Sequence, residues 1–307
     1  MLIRVLVNPQ AGAGAARRKL PAIIRALEGR NTAHDIVETG GPGHATQLAR
    51  SARADGVSVL VVVGGDGTLN EVAQAYLDEA GAPIAGPDLA MIPAGTGGDF
   101  RKTLGIGESV EQAVAGLLSA TPRALDLGIA EFTNDRGDEE RRAFVNIASF
   151  GVSGRVDRMV NATPKWMGGR VAFALGTVRA LSTYRNAPVS LTVDGRPFYE
   201  GPVNVAAVAN GRCFGGGMRI APDADPHDGV LDVVVVGDVT FGESILRSPE
   251  IYKGAHIGKP KVFHTRGTRV VATPLGQEPV YIDTDGEAPG RLPLTVSLLP
   301  GALRFRV

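Results

Sequence analysis

The chain has 307 residues, enough for one large core or two domains, and its 41 glycines and 20 prolines favour turns and strand ends over a helical bundle. Lysine plus arginine equals aspartate plus glutamate at 32 each, so net charge gives no case for a nucleic-acid partner. A single cysteine, Cys213, excludes a disulfide framework, and there is no signal peptide or apolar run of about 18 residues, so a soluble cytoplasmic chain is expected.

In chain order, Leu2–Val7 reads as a strand ending in Asn8-Pro9-Gln10-Ala11-Gly12-Ala13-Gly14, with a helix from Ala15 to Leu27. Asp35–Glu38 reads as a second strand, followed by Thr39 and a glycine-rich turn into a helix over 44–54. His44, at that helix start, reads as structural or capping. The run VLVVV from Val59 is apolar on both faces, the signature of a buried parallel strand, and it runs directly into Gly64-Gly65-Asp66-Gly67-Thr68. Glycines there let backbone amides meet an anion, and the following helix, read over Asn70–Ala80, adds its positive end. A fourth strand, Leu89–Ile92, opens onto Gly95-Thr96-Gly97-Gly98-Asp99. Two such loops at the ends of strands that can be neighbours suggest one polyphosphate site lined by Asp66, Thr68, Thr96 and Asp99. The lysine of a P-loop is missing, so the usual lysine-clamped nucleotide reading fails.

After a helix over Ser109–Leu118 the pattern turns to short strands: Arg123–Phe132, Ala143–Phe150, Val189–Val193 and Arg196–Glu200, the last two flanking the hairpin dipeptide Asp194-Gly195. A helix is expected over Val171–Leu181 and an exposed hairpin loop over Thr133–Arg142. Strands continue at Val203–Asn210, Val230–Val236, Arg269–Thr273, Val280–Asp285, Leu294–Leu298 and Leu303–Val307. Parallel α/β followed by antiparallel β implies two domains, 1–125 and 126–307, with a cleft between them. In the second half, APDADPHDGVLD carries Asp223, Asp225, Asp228 and Asp232, either a cation loop or a solvated acidic turn. Asp283, Asp285 and Glu287 flank a turn whose functional reading requires it to face the phosphate loops.

These residues resemble the diacylglycerol kinase catalytic-domain family, which includes bacterial lipid kinases and sphingosine kinases. The matching elements are NPQAG at 8–12, Thr39 with GHA at 43–45, VVVGGDGTLNEV at 61–72, IPAGTGGDF at 92–100 and LDLG at 125–128. They continue with FVNIASFGVSG at 144–154, GGGMRIAPDADPHDGVLDV at 215–233 and DGEAPG at 285–290, so the resemblance spans the chain. It implies a Rossmann-like nucleotide-binding domain followed by an antiparallel β-sandwich whose last strand can pack back on the first domain, and transfer of the γ-phosphoryl of ATP to a lipid hydroxyl. Asn8, Gly12, Thr39, Gly64, Gly65, Asp66, Gly67, Thr68, Leu69, Asn70, Gly95 and Thr96 are then expected at the nucleotide. Asp66, Asp99 and Asp126 resemble the acidic network around catalytic Mg²⁺, and Asp285, with Glu287 behind it, resembles the general base. Asp225, Asp228 and Val230 resemble a structural Mg²⁺ site.

Two positions depart from the family pattern: Gly98 stands where asparagine is common, and Asp225 where bacterial members often carry lysine. The resemblance also implies a lipid substrate met at a membrane surface, peripheral contact at its inner face, for which the 166–170 segment with Trp166 is a candidate, and no nucleic-acid partner. It allows a homodimer. The alternatives are a kinase for a soluble alcohol, similar to NAD kinase, and a nucleotide-binding regulator without turnover.

Overall fold

The computed structural model describes residues 1–94, 98–107, 109–161 and 182–307. Gly95, Thr96 and Gly97, the Trp166 segment and the helix expected over Val171–Leu181 lie outside the described residues.

The first half forms strands β1 (Ile3–Val7), β2 (His34–Glu38), β3 (Val59–Gly64) and β4 (Asp88–Pro93), all parallel, in the order β2-β1-β3-β4. Helices α1 (Ala11–Glu28), α2 (His44–Ala54), α3 (Asp66–Ala73), α4 (Asp99–Leu104) and α5 (Val110–Ser119) follow the strands. Strands β3 and β4 are buried on both faces, which is why they read as unbroken apolar runs. Val5, Val61, Val63 and Ile92 pack under α1 and α5 on one face. Leu6, Leu60, Val62 and Met91 pack under α2 and α3 on the other. The NPQAG strand β1 is therefore interior, with β2 as the edge.

The second half is antiparallel. Strands β5 (Arg123–Asn134), β6 (Glu139–Phe144), β8 (Ala187–Val193), β9 (Arg196–Val203), β13 (Arg269–Pro274) and β15 (Gly290–Arg306) belong to the same sheet as β1–β4, which has ten strands among the described residues. A five-stranded sheet, β12-β11-β10-β7-β14, packs across it: β7 (Ile147–Gly151), β10 (Val205–Ala209), β11 (Leu231–Val236), β12 (Val262–Gly267) and β14 (Ile282–Thr284). Phe150, Val208, Val233 and Ile282 from the smaller sheet meet Phe132, Leu191, Val270 and Val296 from the larger in one core, so the second half is a β-sandwich. The hairpin at Asp194-Gly195 forms with φ of 48° and 77°, the left-handed pair that such a turn requires.

Strand β15 joins the two halves. Leu294–Leu298 and Leu303–Val307 read as two strands, but they are one bent strand with a register shift between Leu299 and Leu303. Its end runs parallel to β4, pairing Phe305 with Leu89 and Arg306 with Ala90. Among the described elements, α4, α6 (Val152–Asn161), α7 (Phe241–Lys253) and β12 were not read from the sequence. Helix α7 carried a legible signal, because Thr240 and Glu243 form a reciprocal capping box and Gly254 ends the helix at φ 70°. The internal Pro249 and the absence of any buried residue on α7 hid its periodicity. The Ala143–Phe150 strand is broken at Val145-Asn146, a departure with consequences for the site.

Candidate active site

Three strand-to-helix loops meet at the carboxyl edge of the parallel sheet. Gly65 is extended at φ −104° and ψ −173°, and Asp66 opens α3, one turn earlier than the sequence reading placed the helix. A Cβ on Gly64 would lie 2.7 Å from the Thr68 side chain, whereas Gly67 has nothing within 4 Å and borders open space. Asn8, at the end of β1, accepts from Gln10 N–H at 3.1 Å and donates to Thr68 Oγ1 at 3.0 Å, tying the first loop to α3. Gly12, at φ 59°, is a glycine because a Cβ there would lie 2.0 Å from the Ala94 carbonyl oxygen, so it serves the chain's own packing. Thr39 N–H donates to Val7 O at 2.9 Å, which holds Thr39 at the same edge. His44 Nδ1 lies 2.8 Å from Gly40 N, the structural role expected of it. Glu71 Oε2 accepts from Gly43 N–H and Ala45 N–H at 3.0 and 3.3 Å, fastening the start of α2 to α3.

Within Gly64–Asn70, only Gly65, Asp66 and Gly67 keep partial exposure. Leu69 is 1% exposed in the core, so its side chain packs against the sheet and is not at a ligand. Asn70 is buried as well, and its amide serves Asp285 and Ala143 O.

Asp66 and Asp99 meet beyond these loops. Asp66 Oδ2 accepts from Asp99 N–H at 2.7 Å, and Asp99 in turn pairs with Lys102 at 2.8 Å and accepts from Gly216 N–H at 2.7 Å. Burial pushes the Asp66 carboxyl up to about 6, and the nearby charges of Asp99 and Asp285 add to the shift. Asp66 Oδ1 is buried without a hydrogen-bond partner among the described residues. This one orphaned carboxylate oxygen could accept a divalent cation, but among the described residues no three acidic, histidine or cysteine side chains are grouped to hold one. Lys102 was missed in the sequence, although its spacing of three from Asp99 on a helix is a legible pairing signal.

Asp126 is placed differently from the expectation that grouped it with Asp66 and Asp99. Its oxygens accept from Gly301 N–H at 2.7 Å and Gly229 N–H at 2.8 Å, so it pins the β15 bend to the acidic loop. In that loop Asp225 Oδ1 accepts from His227 N–H at 3.2 Å and Asp228 Oδ1 from Val230 N–H at 3.2 Å, while Arg266 pairs with Asp228. Asp232 is taken by His264 at 2.7 Å and by Arg266 at 3.3 Å. The structural Mg²⁺ expected at Asp225, Asp228 and Val230 is not supported by this geometry, because amides and the Arg266 guanidinium already engage the two carboxylates.

Asp285 occupies a pocket made by the break in the sandwich strand. Val145 and Asn146 leave the ladder, and three successive N–H groups turn toward one carboxylate. Oδ2 accepts from Val145 N–H at 2.8 Å and Asn70 Nδ2 at 2.9 Å, and Oδ1 from Asn146 N–H at 3.0 Å and Ile147 N–H at 2.9 Å. Burial outweighs these four donors and pushes the Asp285 carboxyl up to about 6. Asp285, Gly286 and Glu287 line an open cleft of about 530 Å³ with Gly67 on the facing side. Arg142, read from sequence as part of an exposed loop, also lines it and pairs with Glu287 at 3.1 Å. The turn and the glycine loop, far apart in sequence, thus face one cleft.

Comparison with known proteins agrees with this architecture. Residues 2–130 match the family model for the diacylglycerol kinase catalytic domain, and residues 146–307 match that for the YegS C-terminal NAD kinase beta sandwich-like domain. A diacylglycerol kinase of Mycobacterium tuberculosis (strain ATCC 25618 / H37Rv) is 32% identical over 307 residues, covering 98% of this chain and 94% of its own length. A protein of Stenotrophomonas maltophilia (strain K279a) named "probable lipid kinase YegS-like" is 28% identical, covering 99% of this chain and 95% of its own length. The crystal structure of a candidate diacylglycerol kinase from Bacillus anthracis str. Sterne superposes with a TM-score of 0.78 at 27% identity, over 99% of this chain and 96% of that one.

Proposed function

This chain belongs to the diacylglycerol kinase catalytic-domain family, and we propose that it transfers the γ-phosphoryl group of ATP to a hydroxyl of diacylglycerol or a related lipid. At the level of the family it is a lipid kinase, a phosphotransferase with an alcohol group as acceptor. The observation that carries the finer reading is the Asn70–Asp285 hydrogen bond at 2.9 Å, which couples the glycine-loop helix to the DGE turn across one cleft.

The first-turn N–H groups at Asp66 and Gly67 have no intrahelical acceptor and are suited to phosphate oxygens. Asp66, with Asp99 beside it, would hold Mg²⁺, which when bound supplies charge neutralisation between the phosphates. The acceptor hydroxyl gives its proton to Asp285 as its oxygen bonds the γ-phosphorus, and the bond to the β–γ bridging oxygen breaks to release ADP. Four donors fill the four acceptor positions of Asp285. One must yield when the proton arrives, and Asn70 Nδ2 is the only side-chain donor of the four.

Peripheral contact with the inner face of a membrane, from the cytoplasm, belongs to the same proposal. Helix α7 has no buried residue and presents Phe241, Ile245, Leu246 and Tyr252 to solvent. No described helix is long and apolar enough to cross a membrane. The test is transfer of labelled γ-phosphate from ATP to dioleoylglycerol in mixed micelles with Mg²⁺. A labelled phosphatidic acid supports the proposal, and ATP-dependent formation of NADP in its place would redirect it to a soluble acceptor.

A further inference from the structure

Two residues before Asp285 stands a second aspartate that the reaction above does not use. Asp283, on β14, is 6% exposed. Its Oδ1 accepts from Gly286 N–H at 2.7 Å and its Oδ2 from Ser149 Oγ at 2.9 Å. The Asp157 carboxyl of α6 stands beside it, close enough for its charge to act on Asp283. The helix can approach this closely because residue 154 is glycine: a Cβ there would lie 2.3 Å from Tyr281 O. Ser153, one turn before Asp157, meets Ser149 Oγ at 2.8 Å and extends the cluster.

Burial, and then the charge of Asp157, pushes the Asp283 carboxyl well above its usual range, and burial raises Asp157 too. Among the described residues, two neighbouring cations are engaged elsewhere. Arg158 of α6 pairs with Asp135 and lies 4.0 Å from the Tyr281 ring centre, and Arg142 pairs with Glu287.

The turn needs fixing. Asp285 sits at φ 52° and Gly286 at φ 90°, in a tight turn closed by Thr284 N–H to Glu287 O at 2.8 Å and Glu287 N–H to Thr284 O at 3.0 Å. A non-glycine residue is disfavoured in that left-handed region unless its surroundings hold it there. The four donors hold Asp285 by its carboxylate, and Asp283 holds the next peptide by its N–H.

We propose that Asp283 is a positioning residue for Asp285: held beside Asp157, it accepts from Gly286 N–H and Ser149 Oγ and so fixes the turn that carries the base. The inference rests on the reading of Asp285 as proton acceptor. It predicts opposite outcomes for the same chemical change made two residues apart.

The test compares Asp283→Asn, Asp283→Ala and Asp285→Asn by transfer of labelled phosphate to dioleoylglycerol micelles and by hydrogen exchange of peptides spanning the turn. Asn at position 283 can accept from Gly286 N–H, so kcat stays within about threefold of the parent and turn exchange is unchanged. Asp283→Ala lowers kcat about tenfold or more, leaves KM for ATP nearly unchanged, and speeds exchange of the turn. Should the alanine variant not fold, Asp283→Ser, with its shorter side chain, takes its place. The proposal is overturned if Asp283→Asn loses as much as the alanine or serine variant, or if the shortened side chain leaves turn exchange at the parent rate. Absence of labelled lipid with the unmodified protein would count against the kinase reading, and the exchange comparison alone would then decide whether Asp283 holds the turn.

Discussion

Replacing Asp285 by asparagine probes both the fold and the chemistry, and the structure sets the size of each effect. Both carboxylate oxygens accept from two N–H groups, so an amide at this position turns an NH₂ group toward two donors. Each donor left unsatisfied costs about 1–3 kcal/mol. Opposing this, the change removes a buried charge whose carboxyl stands at about 6 against 3.8 when unperturbed, worth up to about 3 kcal/mol. A raised carboxyl stabilises the folded state most below the unfolded pKa, and that contribution is lost as pH rises through the folded value near 6. The parent therefore loses about 1 kcal/mol between about pH 5 and pH 7.5 that the asparagine variant does not. At neutral pH the two effects largely offset, so the variant should be destabilised by no more than about 3 kcal/mol, well inside the stability of an ordinary domain, and should fold. Turnover should fall about a hundredfold or more through loss of the base. The assays are thermal or urea unfolding at the two pH values and labelled-phosphate transfer on the folded variant. A folded variant turning over within about threefold of the parent would refute the base assignment, leaving Asp285 as an anchor for the turn alone.

Other outcomes follow from the same geometry. Turnover should fall as pH drops through about 6, because burial holds Asp66 and Asp285 near that value and both act ionised; a pH–rate profile flat well below 6 would contradict this. Asn70→Ala removes the bridge from α3 to Asp285 and to Ala143 O, and should lower kcat about tenfold or more with a measurable loss of melting temperature; unchanged kinetics would show that the two sides of the cleft need no coupling. Gly67→Ala meets no neighbour within 4 Å and should leave melting unchanged while raising KM for ATP, whereas Gly12→Ala, driven into Ala94 O, should lower the melting temperature. Ile245→Glu with Leu246→Glu on α7 should reduce co-sedimentation with lipid vesicles without changing stability, and undiminished vesicle binding would move the membrane contact elsewhere.

The parallel sheet was legible because Val59–Val63 and Leu89–Ile92 are buried on both faces, and that condition leaves a continuous apolar run in the sequence. The hairpin at Asp194-Gly195 was legible because only a few residue types accept two left-handed conformations in succession. What stayed hidden depends on distant partners. FVNIASF gives no local sign of breaking at Val145-Asn146, because the group that draws those amides out of the ladder is a carboxylate from the end of the chain. Similarly, nothing in LDLG distinguishes an acid facing a nucleotide from one pinning Gly229 and Gly301, as Asp126 does. Arg266, which engages Asp228, lies on β12, a strand the sequence reading did not identify.

The most direct test of the account offers the protein labelled ATP and Mg²⁺ together with a total lipid extract and, separately, an aqueous metabolite extract. Label is expected in a lipid that partitions into the organic phase, and is lost in the Asp285→Asn variant. Label confined to a water-soluble product, or lipid label undiminished in the variant, would contradict it.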